Sequence, residues 1–166
     1  MSSLSQFEVL LPELRAYARS IAERAEDAED LVQDAIERAL RSDAQPNRLE
    51  ELRPWMFRVI RNLYYDELRK RRVRREYSDG FKRFSQEQTH LSDHVRDITI
   101  RQAFDQLPPA MREILFLVDI MGMKYAEAAV VLDVPNGTVM SRISRARRAL
   151  LELVNGSVMG EMEKQK

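Results

Sequence analysis

Four residues separate two runs of helical periodicity near the end of this 166-residue chain, and that spacing constrains the fold more than any other feature. The first run, from Tyr125 to about Leu132, places Tyr125, Ala128, Ala129 and Leu132 on one side. The break, Asp133 to Asn136, contains Pro135 and reads as a tight turn. The second run, from about Gly137 to Val154, carries an inward stripe of Val139, Ile143, Ala146, Leu150 and Leu153. Small Ala128 and Ala129 let the first helix sit close against the second. Two helices joined by so short a turn, the second of them basic, follow the helix-turn-helix plan. At about 100° per residue the face opposite the stripe holds Ser141, Ser144, Arg145 and Arg148, with Met140 and Arg147 on a flank and Arg142 nearer the core edge. Serines and arginines on one exposed face suit base edges and phosphates in a major groove. An ordinary solvated cationic face is the bland alternative, and the short preceding helix and the turn weigh against it.

The rest of the chain also reads as helical. Glycine (five) and proline (six) are sparse, while Ala, Leu, Arg and Glu abound, which favours an all-α fold. The absence of cysteine excludes a disulfide framework and a thiolate-ligated metal, and fits a reducing compartment. Neither a signal peptide nor an apolar run of membrane-spanning length is present, so a cytoplasmic protein is expected. The formal net charge of zero argues at first against a nucleic-acid partner, but it averages over two opposed segments. Glu23 to Glu37 carries seven acids and one base, and Arg53 to Glu76 carries nine bases and three acids. Segregated charge points to two surfaces with different partners.

Helical spacing predicts a first helix over about Gln6–Arg24 and a second over about Ala28–Arg41, with Leu31, Val32, Ala35, Ile36, Ala39 and Leu40 inward and Asp27 as its N-cap. A third is expected from about Arg53 to Arg75, with Pro54 in its first turn. One of its faces is Phe57, Ile60, Tyr64 and Leu68, and another is Arg58, Arg61, Asn62, Tyr65, Arg69 and Arg72. Periodicity dissolves between Tyr77 and Ser92, which reads as a flexible linker. A helix from about Asp93 to Leu107 and another opened by Pro108-Pro109 and ended by Gly122 lead into the helix-turn-helix. The expected organisation is therefore two small helical domains, 1–76 and 93–154, joined by a linker over 77–92 and followed by a disordered tail over 155–166.

Three stretches carry a family resemblance. Leu107 to Glu152 (LPPAMREILFLVDIMGMKYAEAAVVLDVPNGTVMSRISRARRALLE) closely resembles region 4 of extracytoplasmic-function, group 4, sigma-70 factors. Asp27 to Leu40 (DAEDLVQDAIERAL) resembles their regions 2.1–2.2, and Arg53 to Arg72 (RPWMFRVIRNLYYDELRKRR) resembles their regions 2.3 and 2.4. The resemblance implies an alternative sigma factor that binds core RNA polymerase and directs initiation at promoters with −10 and −35 elements. Domain 2 would bind the polymerase through Asp30, Gln33, Asp34 and Glu37. Arg58, Arg61, Asn62, Tyr65, Arg69 and Arg72 would hold the opened −10 strand, which needs cations along the backbone and a pocket for a flipped base. Trp55 matches a tryptophan common in the family and is read as core.

Met140, Ser141, Ser144 and Arg145 would face the −35 bases, and Arg142, Arg147 and Arg148 would add phosphate contacts or packing. Position 140 is basic in many relatives and Met here, which removes one cationic contact; Met can still pack on a thymine methyl. Asp133 stands where many relatives have Gly, and Asp tolerates the left-handed geometry of the turn. The resemblance also implies control by an anti-sigma factor, with the linker leaving both DNA faces accessible to a wedge between the domains.

Two other readings compete. A sigma-like decoy would titrate an anti-sigma factor without reading DNA, but Asn62, Ser141 and Arg145 are retained. An enzyme would need machinery that the chain lacks: there is no Gly-rich phosphate loop and no nucleophile motif. His90 and His94 stand four apart near Asp93 and Asp97, without a third ligand of clear spacing, so no metal and no cofactor are expected.

Overall fold

A computed structural model describes the backbone of residues 3–77 and 95–164, and the side chains of residues 4–76 and 99–156. Among the described residues there is no strand. The helices are α1 (Ser3–Ile21), α2 (Ala25–Arg41), α3 (Leu49–Tyr77), α4 (Val95–Gln106), α5 (Pro109–Leu115), α6 (Tyr125–Leu132) and α7 (Asn136–Lys164), and α5 runs on into one π-helical turn, Phe116–Ile120. The expected linker, 77–92, lies almost wholly outside the described residues, as do His90 and His94.

Helices α1 to α3 close around Phe7, Leu10, Leu14, Tyr17, Val32, Ala35, Leu52, Met56, Phe57 and Ile60. Helices α4 to α7 close around Leu107, Ile114, Leu117, Ala128, Val131, Val139, Ile143 and Ala146, and the two sets join in one continuous core. Small side chains at Ala28, Ala35, Ala128, Ala129 and Ala146, all buried, let helices approach closely. Trp55 is partly buried against the first core, as read from the sequence.

The helix-turn-helix forms where the spacing put it. Gly122 closes the preceding segment at φ +66°, and Asp133 closes α6 at φ +55°, ψ +50°, the left-handed geometry that Asp tolerates. At the start of α6, Glu127 accepts a 2.8 Å hydrogen bond from the backbone N–H of Lys124, satisfying a donor the helix leaves open.

Several boundaries differ from the sequence reading. Helix α2 begins at Ala25 with Arg24 at the N-cap, so Asp27 lies in the first turn rather than capping it. Helix α3 begins at Leu49 with Pro54 inside it, because Glu51 and Leu52 bond back to the Arg48 carbonyl and Leu52 is buried. Leu40, expected inward, is half exposed at the last turn of α2. Residues 155–164 continue α7 rather than forming a disordered tail. No proline follows Val154, and the two glycines in this stretch weaken a helix without ending it.

The largest departure concerns the two halves, which pack against each other. Helix α6 lies along α3, and the π-helical turn meets α1. Tyr17 of α1 stacks with Phe57 at 4.8 Å and with Phe116 of the π-helical turn at 6.3 Å between ring centres. Of the two DNA faces that the linker was expected to leave accessible, the α7 face is exposed, while Arg58 and Arg61 of the α3 face are paired with carboxylates of the other half.

Candidate nucleic-acid interface

Two cationic faces emerge, one on each half. On α7, Met140, Ser141, Arg142, Ser144, Arg145, Arg147 and Arg148 are all exposed, opposite buried Val139, Ile143 and Ala146. Ser141 donates its hydroxyl to the Thr138 carbonyl at 3.1 Å, which keeps the side chain against the first turn. Arg147 departs from the rest. It forms two hydrogen bonds to Asp119, at 2.6 and 3.0 Å, and these outweigh desolvation and raise its pKa further above the ordinary arginine range. A guanidinium fixed in both fork positions braces α7 against the π-helical turn. Arg142, Arg145 and Arg148 carry no ion pair among the described residues.

On α3 the predicted strand-binding residues come together. Arg61, Asn62, Tyr65, Leu68, Arg69 and Arg72 line one open groove of about 560 Å³. Five of these are the residues singled out from the sequence, and Leu68 adds an apolar floor. The Arg61 guanidinium lies 4.6 Å from the Tyr65 ring centre, a cation–π contact that fixes both groups. Arg69 pairs with Asp66 at 2.7 Å and Arg72 with Glu76 at 3.7 Å, both exposed pairs along one helix. The sixth predicted residue, Arg58, lies outside the groove and pairs with Asp133 at 3.3 Å.

The sequence reading missed a polar network across the two halves. Glu113 of α5 is buried, at 7% exposure. One of its oxygens, Oε1, accepts hydrogen bonds from Arg61 and from the Tyr17 hydroxyl, each at 2.8 Å. Burial lowers the Arg61 pKa, but the charge and hydrogen bond of Glu113 more than offset it, so the guanidinium stays firmly charged. Burial, then the Glu113 charge, push Tyr17 well above the ordinary tyrosine range. Arg53 binds Glu13 at 2.6 Å, the Met121 carbonyl at 2.8 Å and Glu127 at 3.7 Å. The one available signal was Glu113 itself, a lone carboxylate inside the apolar run MREILFLV.

The acidic face of α2 holds exposed Asp30, Gln33, Asp34 and Glu37. Asp30 and Asp34, with Asp27, edge a cleft of about 320 Å³ against Leu63, Tyr64 and Leu68 of α3. Gln33 does not line it, and Glu37 pairs with Arg41 at 4.0 Å.

These features have counterparts in known proteins. The profile for sigma-70 region 2 matches residues 7–74, and that for sigma-70 region 4 matches residues 98–150. An ECF RNA polymerase sigma factor, EcfG of Rhodopseudomonas palustris (strain TIE-1), is 37% identical over 145 residues, covering 87% of this chain and 80% of the relative. The chain belongs to the ECF sigma-70 factors. It is thus an RNA polymerase sigma factor, all-α and built from regions 2 and 4, as the motifs implied.

Two solved structures share the fold. RpoE of Bartonella quintana, in complex with the anti-sigma factor NepR, aligns over 91% of this sigma factor and 95% of its own chain, at a TM-score of 0.70 and 31% identity. CnrH, in complex with the cytosolic domain of CnrY, aligns over 93% and 90%, at 0.63 and 27% identity. No helix among the described residues is long and apolar enough to cross a membrane.

Proposed function

We propose that this sigma factor reads its two promoter elements with separate faces: the α3 groove holds the opened −10 strand and the exposed face of α7 reads the −35 duplex. The observation that carries this reading is the groove, in which Arg61, Asn62, Tyr65, Arg69 and Arg72 surround an apolar floor at Leu68. A flipped base needs an apolar and aromatic surface, and the strand leaving it needs cations. On α7, Ser141, Ser144 and Arg145 address base edges, while Arg142 and Arg148 hold phosphates. Arg147 serves as a brace, since Asp119 occupies its fork. Met140 offers the −35 element an apolar contact in place of a cation.

The acidic α2 face, Asp30, Gln33, Asp34 and Glu37, docks core RNA polymerase, which performs the chemistry. The sigma factor contributes binding, without a cofactor, and works in the cytoplasm. Because RpoE of Bartonella quintana is solved in complex with the anti-sigma factor NepR, an anti-sigma factor controls this one too. Run-off transcription with purified core enzyme tests the assignment. Arg145→Ala weakens promoter-specific transcription while core binding persists, and unchanged promoter activity would remove α7 as the −35 reader. Purification from the native host tests the last point, with a small partner besides polymerase as the expected result.

A further inference from the structure

The exposed face of α7 carries a side chain that a small oxidant can change. The chain has eight methionines and no cysteine, so thioethers are its only sulfur. The described methionine side chains sort by burial. Met56 and Met123 are buried, at 0% and 3% exposure, and Met111 and Met121 are partly buried against the core. Met140 is 56% exposed. The side chains of Met1, Met159 and Met162 lie outside the described residues.

Local geometry leaves the Met140 side chain uncovered. A long side chain on a helix leans back over the turn N-terminal to its own Cα. For Met140 that turn holds Gly137, three residues earlier, and a Cβ placed on Gly137 would meet nothing within 4 Å. One turn on stands Ser144, short and exposed, and the neighbouring Ser141 is turned to the Thr138 carbonyl. A peroxide has to reach a sulfur lone pair, so access sorts these methionines. On this face the contribution of Met140 is its apolar, flexible body, the property that oxidation removes.

We propose that Met140 is a reversible oxidation site for hydroperoxides, and that its sulfoxide weakens reading of the −35 element while docking to core polymerase is kept. This rests on the reading of α7 as the −35 face. A sulfur lone pair attacks one oxygen of the hydroperoxide. An S–O bond forms, the O–O bond breaks, and the other oxygen leaves with the proton as water or an alcohol. The thioether is oxidised by two electrons and the peroxide is reduced by two. The sulfoxide oxygen accepts hydrogen bonds from water, and packing on a thymine methyl would strip them without replacement. Helix α2, with its acidic face, contains no methionine, so that surface is untouched. Methionine sulfoxide reductases return the thioether, which makes the change a switch.

Hydrogen peroxide applied to the full chain tests this, with peptide mass mapping and −35 duplex binding followed together. Met140 should convert before Met56, Met111, Met121 and Met123. As it converts, duplex affinity should fall about fivefold to tenfold, with core affinity unchanged, and methionine sulfoxide reductase should restore it. Met140→Leu keeps an apolar helix former that peroxide does not oxidise. Whatever the starting affinity of that variant, peroxide should leave it where it was. Conversion of Met140 no faster than that of buried Met56 and Met123 overturns the proposal. So does full conversion without a fall in affinity, or an equal fall in Met140→Leu, which would put the damage elsewhere. Arg145→Ala judges the α7 reading separately. Unchanged duplex affinity in that variant removes the reading and the proposal with it, whereas a loss there beside an indifferent sulfoxide overturns the proposal alone.

Discussion

The two cationic faces of this sigma factor resemble each other in composition and differ in state. On α7, Arg142, Arg145 and Arg148 stand in solvent with no ion pair among the described residues. On α3, Arg58 and Arg61 are each tied to a carboxylate of the other half. The contrast follows from what lies beneath each helix. Helix α7 buries Val139, Ile143 and Ala146 in its own half, which leaves its far side free. Helix α3 has one flank in the first core and another against α6, so its arginines meet whatever charge region 4 presents. An exposed arginine is available to DNA at little cost. One bound to a buried carboxylate must first leave it, and that exchange makes the second face conditional on the arrangement of the halves.

The largest expected effect is on the contact itself. Glu113→Ala leaves Arg61 and the Tyr17 hydroxyl facing a void and should cost about 3–5 kcal/mol of coupling between the halves. Denaturant unfolding checks this: one cooperative transition should split into two, and an unsplit transition at the original midpoint would show that the halves are not coupled there. Arg145→Ala comes next, with a loss of about 1–3 kcal/mol at the −35 element, read as a tenfold to hundredfold fall in specific duplex binding and no change in core affinity. Met140→Arg should act in the opposite direction, tightening −35 binding and steepening its log–log salt dependence by about one unit. A slope that stays the same would show that position 140 does not reach the phosphates.

The smallest effect is a pH dependence. Burial and Glu113 raise the Tyr17 pKa, so the folded protein favours the neutral phenol. The stability this contributes is complete below the ordinary tyrosine value near 10 and is lost as pH rises through the higher folded value. The contact between the halves should therefore be insensitive to Tyr17 from pH 6 to 9 and weaken only in strong alkali. Tyr17→Phe should remove that alkaline step in a pH series of the inter-half distance.

Much of each half was legible from spacing. The bounds of α6, the left-handed turns at Gly122 and Asp133, and the exposed row Met140 to Arg148 all follow from local pattern. The groove was legible too, because its members recur along one helix face. The contact between halves was not. Its pairs join residues 52 and 96 apart in sequence, and Glu113, though set among apolar residues, gives no sign of which distant residues it meets. The start of α3 at Leu49 was missed because Pro54 was read as lying in the first turn, whereas Glu51 and Leu52 already bond back to Arg48, and the continuation of α7 was missed because the stretch after Val154 was read as a disordered tail.

Footprinting of the free sigma factor and of its holoenzyme on one promoter tests the contrast between the faces most directly. The account predicts that the free protein protects the −35 element and leaves the −10 element unprotected, while the holoenzyme protects both and exposes the −10 non-template strand to single-strand-specific reagents. Protection of the −10 element by the free protein at the same concentration would contradict it.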